Sequence, residues 1–160
     1  MPLSENSEVQ QFVPLSAVRF KIATLKESKE TEIRKSEYDS NVARAEAILT
    51  KYSSPFSGLG YIMVQKTQEC GGDFRVLLAI AGNESGFGRI PYKTYNPFGY
   101  LNGVQYSSWE ESLSILSCKI AQQYLVPCNN SPECMVRRYA GDGDDRERWV
   151  KNINWFINQI

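Results

Sequence analysis

Residues 73–88, Asp-Phe-Arg-Val-Leu-Leu-Ala-Ile-Ala-Gly-Asn-Glu-Ser-Gly-Phe-Gly, constrain the chain more than any other stretch. Asp73 has the side chain of a helix N-cap, able to accept N–H groups of a first turn. Phe74, Leu77, Leu78 and Ala81 then recur at helical spacing, so a helix over Phe74–Ser85 must have its apolar face covered by other elements. The same periodicity recurs elsewhere. Val42, Ala45, Ile48 and Leu49 mark a helix that Ser53-Ser54-Pro55 stops. Residues 57–69 carry Leu59, Ile62, Met63 and Val64 and end at Cys70-Gly71-Gly72. Residues 107–126 open on the capping box Ser108-Trp109-Glu110-Glu111 and place Trp109, Leu113, Leu116, Ile120 and Tyr124 on one face. A short helix is expected over Pro132–Tyr139, and a last one from Asp145 to the end, with Trp149, Ile153, Phe156 and Ile160 on its buried stripe.

One β feature stands among these helices. Residues 98–101 and 104–107 flank Asn102-Gly103, a dipeptide that supplies the positive φ angles of a type I′ hairpin turn. The expected class is therefore mainly α (α+β), with five to six helices and one small hairpin. The first 35 residues read differently, as a flexible or linker-like lead segment ahead of a domain over residues 36–160. Phe12, Val13, Leu15, Val18, Phe20 and Ile22 give it apolar content, and the alternation of Val18, Phe20 and Ile22 suggests one strand. Residues 26–37 mix both charge signs without an apolar face, which suits a solvated linker or an exposed helix.

Composition narrows the chemistry. The chain has no histidine, so Ser-His-Asp triads, His-activated nucleophiles and HExxH zinc sites are excluded. Its 18 Lys+Arg balance 18 Asp+Glu, and such neutrality argues against nucleic acid as a partner. No cofactor is expected. Cys70, Cys118, Cys128 and Cys134 fit no zinc spacing. They suit two disulfides in an exported protein, with three connectivities open and a local Cys128–Cys134 bridge among them, or else buried free thiols. No apolar run reaches the roughly 18 residues of a membrane span. The polar, acidic first residues do not read as a signal peptide.

The chemistry left to this chain is carboxyl chemistry. Glu84 falls three and four residues after Ala81 and Ile80, on the apolar side of its helix, where a hydrophobic residue is expected. Burial disfavours the charged form of any carboxyl, which is how a general acid works near neutral pH. Gly86 and Gly88 follow and leave room for a substrate or backbone to approach. A solvated or capping glutamate is the plainer reading of such a position. Residues 90–106 then hold Tyr92, Tyr95, Phe98, Tyr100 and Tyr106 among Asn96, Asn102 and Gln105, with Lys93 the lone charge. Rings and amides of this kind suit an uncharged, polyhydroxylated ligand, although a hairpin whose tyrosines cover the core would look the same. Finally, Arg137-Arg138-Tyr139-Ala140-Gly141 precedes Asp142-Gly143-Asp144-Asp145, an acidic run that lacks calcium-loop spacing and better suits the N-cap of the last helix.

Taken in order, residues 79–88 (Ala-Ile-Ala-Gly-Asn-Glu-Ser-Gly-Phe-Gly), 95–100 (Tyr-Asn-Pro-Phe-Gly-Tyr), 109–112 (Trp-Glu-Glu-Ser) and 139–141 (Tyr-Ala-Gly) resemble the motifs of the lysozyme-like superfamily. The likeness spans about residues 40–160. It is greatest to bacterial lytic transglycosylase and endo-β-N-acetylglucosaminidase domains, including the mannosyl-glycoprotein type. The resemblance implies a lysozyme-like fold, with the hairpin beside a cleft for β-1,4-linked N-acetylated sugar chains, usually peptidoglycan. It makes Glu84 the acid that protonates the glycosidic oxygen, and it places Ser85, Gly86, Tyr95, Asn96, Phe98, Gly99, Tyr100 and Tyr139 at the substrate. In transglycosylases the same carboxylate then acts as base while the sugar's 6-hydroxyl closes a 1,6-anhydro ring; in hydrolytic relatives water attacks.

Two departures lean toward the glucosaminidase side. Asn96-Pro97-Phe98-Gly99 stands where soluble transglycosylases have Gly-Leu-Met-Gln, and Tyr139-Ala140-Gly141 lacks the Asn of their Tyr-Asn-Ala-Gly pattern. Hydrolysis normally needs a second carboxyl, for which Glu110, Glu111, Asp142 and Asp144 are the candidates. The expectation is a monomeric, extracellular or envelope enzyme that cleaves peptidoglycan or related N-acetylglucosamine-containing glycans. Its alternatives are a non-catalytic glycan-binding module and a structural part of an envelope or phage-tail assembly.

Overall fold

The structure is a computed structural model that describes residues 14–100, 104–139 and 145–160. It is mainly α. Among the described residues the helices run α1 (Leu15–Lys51), α2 (Gly60–Glu69), α3 (Phe74–Ser85), α4 (Trp109–Ile120), α5 (Pro132–Tyr139) and α6 (Arg146–Ile157). The chain divides into two units between Glu37 and Tyr38, two residues beyond the boundary read from sequence.

In the described part of the first unit the chain is helical from Leu15 onward and every residue is exposed. Val18, Phe20 and Ile22 lie inside α1, so the strand expected there is not formed. A lone strand leaves its N–H and C=O groups without partners, whereas a helix pairs them within the segment. Three alternating residues cannot outweigh that. The hydroxyls of Thr24 and Thr31 donate to the carbonyls of Phe20 and Glu27, four residues back. Residues 26–37 take the exposed-helix form of their two readings, with an Arg34–Glu30 pair at 3.6 Å between successive turns. Phe12 and Val13 lie outside the described residues.

In the second unit α3 is the central element. Phe74, Leu77, Leu78 and Ala81 are buried as its pattern requires, and so are Val76, Ala79, Ile80 and Gly82. The helix is therefore covered on nearly every side, with α2 and α6 packed against it. Asp73 caps it as expected, accepting the Arg75 N–H at 2.9 Å. Burying a Leu or Ile of this kind contributes on the order of 1.5–3 kcal/mol.

The end of α1 and the start of α2 are joined by side chains. Ser53 turns the chain with φ +52°, and the Ser54 hydroxyl donates to the Phe87 carbonyl at 2.9 Å. Helix α2 begins at Gly60 rather than at residue 57. Leu59 offers its first turn no cap, and the Glu46 carboxylate of α1 accepts the N–H groups of Gly58 and Gly60 instead.

The helix expected over residues 107–126 is shorter. Ser108 caps it through the Glu111 N–H, and the Glu111 carboxylate reaches back to the Ser107 N–H and hydroxyl. After Ile120 the backbone widens into a π turn, Ala121–Leu125, and then tightens into a 3₁₀ turn, Val126–Cys128. Pro127 has no N–H with which to continue an α-helix. At the last helix Asp145 makes no capping bond; its carboxylate pairs with Arg148 at 2.8 Å. Trp149 and Ile153 are buried there, and Phe156 and Ile160 are partly buried against the core.

Both disulfides are present. Cys70–Cys118 joins the end of α2 to α4, and Cys128–Cys134 joins the 3₁₀ turn to the first turn of α5. The α2–α4 seam that Cys70–Cys118 closes contains two buried hydroxyls, of Thr67 and Ser117, without a hydrogen-bond partner among the described residues.

The flanks of the expected hairpin carry no ladder. The sole β-type pairing among the described residues is an isolated bridge between Lys93 and Asn96, and Leu101, Asn102 and Gly103 lie outside them. The buried Asn96 side chain takes over the pairing. Its amide donates to the carbonyls of Tyr100 (2.8 Å) and Val104 (3.2 Å), and its oxygen accepts the Tyr100 N–H. Backbone groups that a ladder would join are satisfied by one asparagine.

Candidate active site

Glu84 lies in the last turn of α3 and is half-buried. Its two oxygens have different surroundings. Oε1 accepts the indole N–H of Trp149 at 2.8 Å and the Asn83 amide at 3.1 Å. The Asn83 oxygen in turn accepts the Asn152 amide at 3.0 Å, so α6 supports both donors. Oε2 faces Gly99, where a Cβ would stand only 3.2 Å from it. A side chain at that position would crowd the oxygen.

The backbone behind Glu84 reverses sharply. Gly86, Phe87 and Gly88 have φ of +57°, +58° and +80°. For Phe87 this conformation costs of order 1–3 kcal/mol. Its ring is fully buried and offsets that cost by stacking on Tyr52 at 4.7 Å and meeting Phe156 edge-on at 5.3 Å. At Gly88 a Cβ would collide with the rings of Phe56 and Trp109. The turn brings Ser85 under the 96–100 loop. Its buried hydroxyl donates toward the carbonyls of Pro97 (2.7 Å) and Ala81 (3.0 Å) and accepts the Gly88 N–H (2.8 Å).

The residues expected at the substrate fall into two groups. Ser85, Asn96 and Phe98 are buried; the Ser85 hydroxyl holds the loop to α3, and Asn96 holds the loop closed on itself. Gly86, Tyr95 and Gly99 are partly exposed. Tyr100 is buried, with its hydroxyl donating to Gln123 at 2.6 Å. The Tyr139 hydroxyl donates to the Phe98 carbonyl at 2.6 Å and not to Glu84. Burial above all, and then the nearby charge of Glu84, push the Tyr139 phenol well above its ordinary range, so it stays a neutral donor. Tyr124, Tyr139 and Trp149 form a chain of rings, with centroids 5.0 and 5.7 Å apart, that ends at Glu84 Oε1.

No second carboxylate is joined to Glu84 by a hydrogen bond among the described residues. Glu111 is committed to its helix cap, whose Ser107 donors hold its carboxyl below the usual range, and Glu110 is exposed on the same first turn. Asp142 and Asp144 lie outside the described residues, as do Ala140, Gly141 and Gly143.

An open groove lies beside the 92–95 segment. Tyr92, Lys93, Tyr95, Gln105 and Trp109 line it. Tyr95 and Trp109 meet edge-to-face at 5.2 Å, and the Lys93 ammonium sits 5.1 Å from the Tyr92 ring centre. Two aromatic faces and an amide there suit the apolar C–H faces and hydroxyls of a sugar.

Trp149, Asn83 and Asn152 are the site residues that sequence reasoning missed. Trp149 was expected only as part of a buried stripe. The available signal was its N–H, since a buried indole usually finds an acceptor. Replacing it tests its role. A hydrogen bond to a charged group is worth about 1.5–3 kcal/mol. Trp149→Phe is thus expected to lower any Glu84-dependent turnover by roughly ten- to hundredfold, read as initial rate on a glycan substrate. An unchanged rate would show that Oε1 needs no indole.

No protein-family model matches the chain, and no curated protein does so either.

Proposed function

We propose that the chain cleaves β-1,4 glycosidic bonds in peptidoglycan or related N-acetylglucosamine-containing glycans, on a lysozyme-like fold, with Glu84 as general acid and base. One observation carries the reading: the half-buried Glu84 carboxyl has one oxygen fixed by Trp149 and Asn83 and the other beside Gly99, where no side chain crowds it. In this reading Oε2 gives its proton to the leaving glycosidic oxygen as the bond to the anomeric carbon breaks. The indole and amide N–H groups on Oε1 stabilise the carboxylate so formed. That carboxylate then takes a proton from the hydroxyl that attacks the anomeric carbon, either the sugar's own 6-hydroxyl or water. A single-carboxylate route is the simpler one here, because Glu111 is engaged in its cap and Glu110 is solvent-facing.

The groove at Tyr92, Tyr95 and Trp109 supports stacking of neutral sugar rings. Two disulfides support an oxidising compartment, outside the cell or in its envelope. No helix among the described residues is long and apolar enough to cross a membrane. Turbidity of a suspension of purified cell-wall sacculi tests the reading. The protein is expected to clear it and release soluble sugar. Co-sedimentation with the sacculi without clearing would identify a glycan-binding module instead.

A further inference from the structure

A second groove, of about 440 Å³, runs between the π turn and α5 and is lined by Gln122, Gln123, Tyr124, Pro127 and Arg138. Its walls are stapled. Cys128, next to Pro127, is bonded to Cys134, one helical turn before Arg138. The π turn sets Gln122, Gln123 and Tyr124 along one wall, and such turns concentrate at functional sites.

The groove is also tied to the candidate active site. Gln123 accepts the hydroxyl of Tyr100, the residue after Gly99. The ring of Tyr124 packs on that of Tyr139, whose hydroxyl holds Phe98. Tyr139 and Trp149 stand between the Tyr124 wall of the groove and Glu84. The chemistry of the groove is selective. It has two amides, a phenol and a guanidinium, and no carboxylate among its lining residues. Arg138 is exposed and makes no ion pair among the described residues. Burial pushes the Tyr124 phenol above its ordinary range. A neutral sugar offers a guanidinium only single, uncharged acceptors, whereas a carboxylate matches both its charge and its fork of N–H donors.

We propose that this groove binds a carboxylate-bearing branch of the glycan, either an acidic substituent on the sugar or a short peptide attached to it. The Arg138 guanidinium pairs with the carboxylate, and the amides of Gln122 and Gln123 pair with amide groups of the branch. This rests on the glycan reading above and specifies its substrate as an anionic, branched chain.

Equilibrium binding tests it separately from cleavage. The Glu84→Gln protein, with Arg138 intact or changed to Gln, is titrated with three probes: a neutral N-acetylglucosamine oligomer, peptide-free glycan strands bearing sugar carboxylates, and peptide-bearing strands. Arg138→Gln is expected to raise Kd by about tenfold or more for a carboxylate-bearing probe and to leave the neutral oligomer unchanged. The probe with the larger change identifies the carboxylate. Arg138→Lys, which keeps the charge and loses the fork, should recover only part of the affinity. Equal changes on all three probes, no change on any, or no binding would overturn the proposal. If the probes bind in this pattern but the wild-type chain cleaves none of them, the groove stands and the catalytic reading fails. Cleavage with an Arg138-independent Kd gives the reverse.

Discussion

Glu84→Gln is expected to lower the rate of glycan cleavage by about 10²–10⁴-fold, the usual worth of a positioned general acid. The substitution is nearly isosteric. The glutamine oxygen can still accept the Trp149 and Asn83 N–H groups at the Oε1 position, so the fold should be kept. What is lost is a transferable proton at the position beside Gly99. An amide can neither protonate the leaving oxygen nor accept a proton from the attacking hydroxyl. KM should change little, because stacking in the Tyr92–Tyr95–Trp109 groove is untouched. Steady-state rates on soluble glycan fragments, with circular dichroism to confirm folding, check this. A variant that keeps wild-type kcat would remove Glu84 from the chemistry.

The second large effect concerns stability. Cys70 and Cys118 are 48 residues apart in sequence, and Cys128 and Cys134 only six. A cross-link stabilises mainly by restricting the unfolded chain, and more so for longer loops. By that reasoning the first bridge is worth about 4 kcal/mol and the second about 2 kcal/mol. The first also closes the α2–α4 seam over the unpartnered hydroxyls of Thr67 and Ser117. Each such buried group costs about 1–3 kcal/mol and favours an opened, wetted seam. The double replacement Cys70→Ala and Cys118→Ala should therefore shift a urea unfolding curve about twice as far, in free energy, as Cys128→Ala with Cys134→Ala. Equal shifts, or a larger one for the short loop, would contradict the loop-length argument.

Periodicity and capping located the starts of α3 and α4, while the end of α4 fell six residues short of the pattern, at the π turn. Helices α3 and α5 have the bounds read for them, because Asp73 caps one and Pro132 and Tyr139 bound the other. The reading failed where a distant residue decided the outcome. Glu46 sets the start of α2, 14 residues ahead of Gly60, and no local pattern contains that bond. Asn96 replaces a hairpin ladder through its side chain, while turn rules see only backbone preferences. Val18, Phe20 and Ile22 alternate over too short a span to outweigh the local pairing of a helix.

The site was legible in the same partial way. Glu84 stood out as a carboxyl on an apolar face. Its support did not, because Trp149 and Asn152 belong to a helix more than 60 residues later. Ser85 and Asn96 lie close to Glu84 in sequence, yet Ser85 spends its hydroxyl holding the loop to α3 and Asn96 spends its amide holding that loop closed on itself. Arg138 carried no role in the 137–141 run, since its groove exists only once Pro127 and the π turn are brought beside α5.

The most direct test of the central claim is mass spectrometry of the soluble products from purified sacculi treated with the wild-type chain and with Glu84→Gln. New sugar ends should appear with the wild type alone. A 1,6-anhydro end would show attack by the 6-hydroxyl, and a reducing end would show attack by water. Sacculi that yield no new ends with the wild type, or the same ends in equal amount with Glu84→Gln, would contradict the account.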